Sequence, residues 1–308
     1  MHQRDTSSLK GSNGRRIVSR LKRRKRSRQT DTVRRFENII DEYFALADAP
    51  PFRKNMLEII RQLRGDLSRL DRRALFALLY AAVGLTCISY LKNPEYLAAI
   101  LANTRYAAIG ENAAYPADNN LDALIWWVFV SMVFYFVVPA LFVKFVQKRK
   151  FTEIGLALRI EHGFWKLLAV CVGIMLPIVY LMSLTASFSA KYPFLKVFNG
   201  DPYFSSTLLV WELVYFLQFF GLEFFFRGFL VHSLKPSIGF YSIFAMTVPY
   251  TMIHFQKPMP EAFAAILAGV FLGWVSFRNG SIWLGLILHC TVAFSMDILA
   301  LYNKGLLF

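Results

Sequence analysis

Cysteine is scarce in this chain of 308 residues, which has three. Cys87, Cys171 and Cys290 stand far apart, each inside an apolar run. That pattern excludes a disulfide framework and cysteine-based metal spacing, and leaves three buried thiols as the expectation. Acid is also in short supply, with 20 Asp and Glu against 35 Lys and Arg, a net charge of +15. The amino terminus lacks the early apolar core that a signal peptide requires. The His-Glu-x-x-His pattern by which a zinc protease is recognised locally is missing too. So are the internal repeats and paired interrupted helices of a transporter, which count against a small-molecule carrier.

What the chain does have is apolar length. Hydrophobic residues make up 56% of it and aromatics 16%, with a positive mean hydropathy. This balance predicts an all-α, polytopic transmembrane helix bundle rather than a soluble domain. About seven apolar segments follow one another at 75–91, 121–146, 164–188, 205–231, 238–254, 262–277 and 282–302. A span needs about 20 residues, within a working range of about 17–25, so the segments at 75–91 and 262–277 sit at the short end.

Charge is distributed unevenly along this frame. Residues 1–73 hold 20 of the 35 basic side chains against 9 acidic ones. The first thirty residues, with Lys22, Arg23, Arg24, Lys25 and Arg26 at their centre, are too polar to bury a core and read as a disordered arm. Beside a membrane domain the partner expected for this run is anionic lipid headgroups, not nucleic acid. Short amphipathic helices are expected next, one over 31–48 and one after Pro51 with Met56, Ile59, Ile60 and Leu63 at helical spacing. The domain division is therefore 1–73 and 74–308. Lys144, Lys148, Arg149, Lys150 and Arg159 crowd the connection after the second segment, whereas 92–120 is low in Lys and Arg. By the positive-inside rule the amino terminus and the 147–160 connection are cytoplasmic and the carboxy terminus lies opposite, in a plasma (inner) membrane. Trp126, Trp127, Tyr192, Tyr203 and Trp211, near segment ends, are expected to be interfacial anchors.

Candidate chemistry is confined to the second half. Glu223 and Arg227 stand four residues apart within an aromatic and aliphatic run, so on a helix they share a face. The plainest reading is an intrahelical ion pair. Ionisable groups in hydrocarbon cost about 2.5–3.5 kcal/mol on insertion scales, however, and are usually functional. His254 closes one segment and His289 lies in the last, with Asp297 eight residues on and on the same face. Pro258 and Pro260 form a turn after His254, with Pro260 placed to start the next helix and Glu261 in its first turn. Glu212, near the outer end of its segment, reads as an interfacial residue.

The order Glu223-x-x-x-Arg227, then Tyr250-x-x-x-His254, then His289 after Ser281-Ile282-Trp283 resembles the CPBP family of membrane CAAX prenyl endoproteases and their bacteriocin-processing relatives. The likeness covers about residues 205–302. It implies an intramembrane endopeptidase acting on a membrane-anchored protein or peptide, in which a carboxylate and two imidazoles activate water. The family usually places two adjacent glutamates in its first motif, the first being the base, and an Asn or Asp four residues after the last His. This chain has Leu222 and Ala293 at those positions. Two outcomes stay open: a rearranged set, with Glu223 or Glu261 as base and Asp297 replacing the amide, or a catalytically silent relative that binds such partners. Glu223 ranks ahead of Glu261, and Arg227 would hold the carboxylate. No metal is obligatory on this reading, although one Glu and two His could bind zinc with a position left open.

Overall fold

The computed structural model describes residues 51–160, 163–196 and 206–306, with the side chains of 51–55 left aside. The basic run at 22–26, the helix expected over 31–48 and Tyr203 lie outside the described residues. The chain divides into two units, Met1–Leu70 and Asp71–Phe308, with the boundary just before the expected position at 73. In the first unit, α1 (Pro51–Arg69) carries Met56, Ile59, Ile60, Leu63 and Leu67 on an exposed apolar stripe.

The second unit is helical. It contains α2 (Arg72–Leu91), the short α3 (Pro94–Leu101) and α4 (Ala107–Ala114), α5 (Leu121–Gln147), α6 (Phe164–Ser183), the short α7 (Ala186–Lys191), α8 (Ser206–Ile238), α9 (Tyr241–Met252), α10 (Met259–Asn279) and α11 (Trp283–Asn303). Among the described residues the only β-type contact is an isolated bridge between Leu156 and Ser281. Among the described residues six helices, α2, α5, α6, α8, α10 and α11, are long and apolar enough to cross a bilayer. The segment expected at 238–254 falls short of that length, because α9 has only 12 residues. Gly239 at its start has a positive φ of 54°, and the Pro258 turn follows its end.

Contacts between helix ends sort the connections onto two sides of the bundle. At one side the Ser237 hydroxyl donates to Asp71 Oδ2 over 2.7 Å, Arg149 donates to the His232 carbonyl, and Lys235 donates to the Phe277 carbonyl. At the other, Asn120 donates to the Phe194 carbonyl, Asn303 to the Ser183 carbonyl, Lys304 to the Tyr192 carbonyl and the Tyr192 hydroxyl to Glu261. Phe240 packs on Phe277 at the first side while Glu261 meets Tyr192 at the second. Short as it is, α9 with its following turn therefore carries the chain from one side to the other. The connections around 149–159 share the Asp71 side, and the end of α11 lies opposite.

Two local features set the geometry of the core. In α8 the helix widens into a π-turn over Phe224–Leu230, a geometry that recurs at functional sites. The Ser276 hydroxyl of α10 pins this turn by donating to the Arg227 carbonyl over 3.0 Å. Between α9 and α10, Gly269 and Gly273 permit close approach. A Cβ on Gly269 would stand 3.1 Å from Tyr250 Cδ1, and one on Gly273 would stand 2.8 Å from Met246 Cε. Small residues four apart bring membrane helices together in this way. The main core then closes around Phe224, Phe225, Phe226 and Phe229 of α8, Tyr80 of α2, Tyr135 of α5 and Tyr250 of α9.

Candidate active site

Three helices deliver charged or polar side chains to one buried point. From α8, Arg227 Nη1 lies 3.0 Å from Glu223 Oε1, with the two side chains 1% and 0% exposed. From α11, His289 Nδ1 lies 2.6 Å from the same oxygen, and its side chain is the most open of the three at 18%. From α9, the Tyr250 hydroxyl stands 3.1 Å from His289 Nε2. The Arg227 guanidinium lies over the Tyr250 ring, 3.8 Å from its centroid, a cation–π contact that offsets part of the cost of burying the charge.

The charge contacts are close but not aligned as hydrogen bonds. Glu223 Oε2 and all three guanidinium nitrogens lack a hydrogen-bond partner among the described residues. The close distances and the missing hydrogen bonds describe one arrangement: two cationic or donor groups crowd Oε1 from oblique angles. Coulomb attraction at this range is strong in a medium of low dielectric, whatever the angle.

His254 reaches the cluster through Tyr250. Its Nδ1 lies 2.8 Å from the Tyr250 carbonyl, and its ring stands 4.8 Å from the Tyr250 ring. A carbonyl only accepts, so Nδ1 is the donor and Nε2 is left as an acceptor in the neutral imidazole. Tyr250, one turn earlier, thus contacts both histidines, His254 through its carbonyl and ring and His289 through its hydroxyl.

The other two candidates take different partners. Both carboxylate oxygens of Glu261 accept from the Tyr192 hydroxyl, at 3.0 and 2.8 Å, and Lys257 Nζ is 2.6 Å from Oε1. Asp297 Oδ2 accepts from the Trp211 indole over 2.9 Å. Tyr192 and Trp211 are thus not interfacial anchors, being 2% and 0% exposed. Each buries an apolar ring while its polar tip serves an acid, which is how these side chains are satisfied in a core. Glu212 also departs from the interfacial reading, at 5% exposed. Burial raises the Tyr192 hydroxyl above its ordinary pKa, and the neighbouring Glu261 carboxylate adds to that shift. Tyr192 therefore stays a donor to Glu261 at neutral pH.

Gly285 is a site residue that the sequence reading passed over. It lies one turn before His289, and a Cβ there would run into Glu223 Oε2 and come within 3.0 Å of the carboxyl carbon. The bare backbone of α11 is what lets the carboxylate lie against it. A glycine one turn before an intramembrane histidine was the available signal. The ring of Phe219 stacks on His289 with centroids 5.3 Å apart, fixing the plane of the imidazole from α8.

Among the described residues no three His, Cys, Asp or Glu side chains are grouped to hold a metal ion. Each nitrogen of His289 faces a protein group and His254 Nδ1 is taken up by a carbonyl. Glu223, His254 and His289 are therefore not disposed as a zinc ligand set. The two departures from the resemblance are plain in the packing: Leu222 belongs to the core around Phe224 and Phe229, and Ala293 to a second apolar cluster with Trp211 and Tyr215.

No curated protein and no solved structure matches the chain. A family model does, over residues 204–295, described as Type II CAAX prenyl endopeptidase Rce1-like. The matched stretch contains Glu223, Arg227, Tyr250, His254, Glu261, Gly285 and His289 and stops short of Asp297. With six long apolar helices among its described residues, this is an integral membrane protein in which residues 204–295 are similar to the Rce1-like type II CAAX prenyl endopeptidases.

Proposed function

We propose that the protein is an intramembrane endopeptidase of the CAAX-protease type, hydrolysing a peptide bond in a membrane-associated protein or in its carboxy-terminal segment. The observation that carries this reading is the convergence of Glu223, Arg227 and His289 from two helices of the matched segment on a single carboxylate oxygen. Buried polar groups in native proteins are almost always satisfied. The unpartnered Glu223 Oε2 and Arg227 N–H groups therefore call for water or a substrate carbonyl at this point.

Water attacks an amide slowly unless its proton is removed and the developing oxyanion is stabilised. Glu223 faces His289 Nδ1 and would stabilise the imidazolium formed when the ring takes a proton, as a carboxylate does in other carboxylate–imidazole pairs. Arg227 would hold the carboxylate. His254, with Nε2 free to accept, would orient the water. The reading assigns no resident metal, because the imidazole nitrogens nearest the carboxylate are turned toward protein partners.

Purified protein in detergent, mixed with a membrane-anchored peptide, tests this. Cleavage is expected to persist with a chelator present, to vanish in Glu223→Gln at unchanged expression, and to fall less in Glu261→Gln. Full activity in Glu223→Gln with loss in Glu261→Gln would reverse the assignment. A second reading, a catalytically silent relative that binds the same partners, is favoured by Leu222 and Ala293 being packed as core residues. Absence of cleavage across such peptides, with binding retained, would decide for it.

For the amino-terminal side, the basic charge of residues 1–73 supports a cytoplasmic position in a plasma (inner) membrane, in contact with anionic headgroups. Labelling of a cysteine placed near Arg16 by an impermeant reagent in intact cells would reverse that orientation.

A further inference from the structure

Resting on the protease reading, we infer that Tyr250 is a proton-relay residue, the route by which a proton reaches His289. Both ring nitrogens of His289 face protein groups: Nδ1 makes a 2.6 Å charge contact with Glu223, not aligned as a hydrogen bond, and Nε2 is hydrogen-bonded to the Tyr250 hydroxyl at 3.1 Å. Nδ1 faces a carboxylate, which only accepts, so Nδ1 carries hydrogen in either protonation state of the ring. The one nitrogen that can gain a proton is Nε2, and the phenolic oxygen stands on it.

A hydroxyl suits this place because it both donates and accepts. It donates to the lone pair of Nε2 in the neutral ring and accepts from Nε2–H in the imidazolium. A single side chain therefore serves the ring before and after transfer without reorganising. Tyr250 is also the residue that ties the site together. Its ring lies under Arg227, its carbonyl accepts from His254, and Phe226 packs edge-on against it with centroids 5.3 Å apart. The close approach at Gly269 sets its backbone.

The step balances as follows. The water O–H bond breaks as its oxygen adds to the peptide carbonyl carbon, and the proton goes to Tyr250 Oη. The original phenolic O–H breaks in concert, delivering its proton to Nε2 as a new N–H bond. Glu223 faces the resulting imidazolium. Return of the proton by the same route, in reverse order, supplies the leaving amine.

Tyr250→Phe in the full-length protein is the test. It keeps the ring under Arg227 and against Phe226 and removes only the hydroxyl. Cleavage is expected to fall about 100-fold, the lower bound of acid–base contributions, in kcat with KM little changed. The ¹⁵N resonance of His289 Nε2 should move, reporting loss of its donor whether or not any peptide is cleaved. Tyr250→Leu, which also removes the ring under Arg227, should be worse in both activity and thermal stability. Unmutated rates in Tyr250→Phe, or an Nε2 resonance indifferent to the substitution, would overturn the relay while leaving the protease reading intact. No cleavage by the unmutated protein would overturn both together.

Discussion

α8 and α6 are both membrane-length helices, yet the protein uses them in opposite ways. In α8, 61% of the most apolar window is buried inside the protein; in α6 the figure is 17%, although α6 is the more apolar of the two. In water the more apolar helix would be the one inside. In a bilayer the lipid is as apolar as leucine, so no hydrophobic drive sends α6 inward. Burial instead falls to the helix that carries groups lipid cannot solvate: Glu212, Gln218, Glu223 and Arg227. The less apolar helix is the one that holds the buried ionisable groups.

If that contrast is real, substitutions should rank by it. The largest effect is expected for Arg227→Met, which leaves Glu223 buried without its cation. Breaking one partner of a buried pair costs about 3–5 kcal/mol, so this variant should lose most of its thermal stability in detergent. Glu223→Gln combined with Arg227→Met, which removes both charges, should recover much of it. Unaltered melting of Arg227→Met would show that the pair is not structurally coupled.

Gly285→Ala comes next. Its methyl collides with the Glu223 carboxyl, and overpacking costs about 1–3 kcal/mol. Because the strain falls on the carboxylate itself, activity should drop further than stability. The comparison to make is the cleavage rate at a temperature where the variant remains folded.

Asp71→Ala is a smaller perturbation at the start of α2. The carboxylate caps that helix by accepting from the Arg73 amide and also accepts from the Ser237 hydroxyl of α8. The Ser237 hydrogen bond is the main cause holding its pKa below the ordinary 3.8, followed by the Arg73 amide. A depressed folded-state pKa means the stabilisation is fully present above the ordinary value and disappears as pH falls through the folded one. The variant should thus lose on the order of 1 kcal/mol at neutral pH, as N-cap replacements do. The deficit relative to the unmutated protein should shrink only below pH 3.8. Melting curves at neutral pH and below pH 3.8 measure it.

The smallest effect is expected on α6. Ile174 is 58% exposed to what would be lipid, and Ile174→Ala should change stability by no more than about 0.5 kcal/mol, the usual range for surface positions. A large loss would mean that α6 is covered by protein and would undo the contrast.

The amino-acid sequence by itself determined the class and the order of the apolar segments, since segment length is read along one dimension. It also paired Glu223 with Arg227, because helical spacing puts residues four apart on one face. Prolines at 258 and 260 marked the start of α10. Only the tertiary structure decided which acid meets His289. Spacing ranked Glu223 ahead of Glu261 and kept Asp297 open, and Tyr192 with Lys257 occupies Glu261 while Trp211 occupies Asp297. The same holds for the buried Trp211 and Tyr192, whose places near segment ends suggested an interface. Tyr250 entered only as the aromatic of the Tyr250-x-x-x-His254 pattern, and Gly285 was passed over. Their roles arise from approach between α8, α9 and α11, set by the glycine contacts at Gly269, Gly273 and Gly285 and the wide turn at Phe224–Leu230. Periodicity reports which face a residue occupies. Which face meets which is settled by side-chain volume and close packing, and those are properties of the assembled bundle.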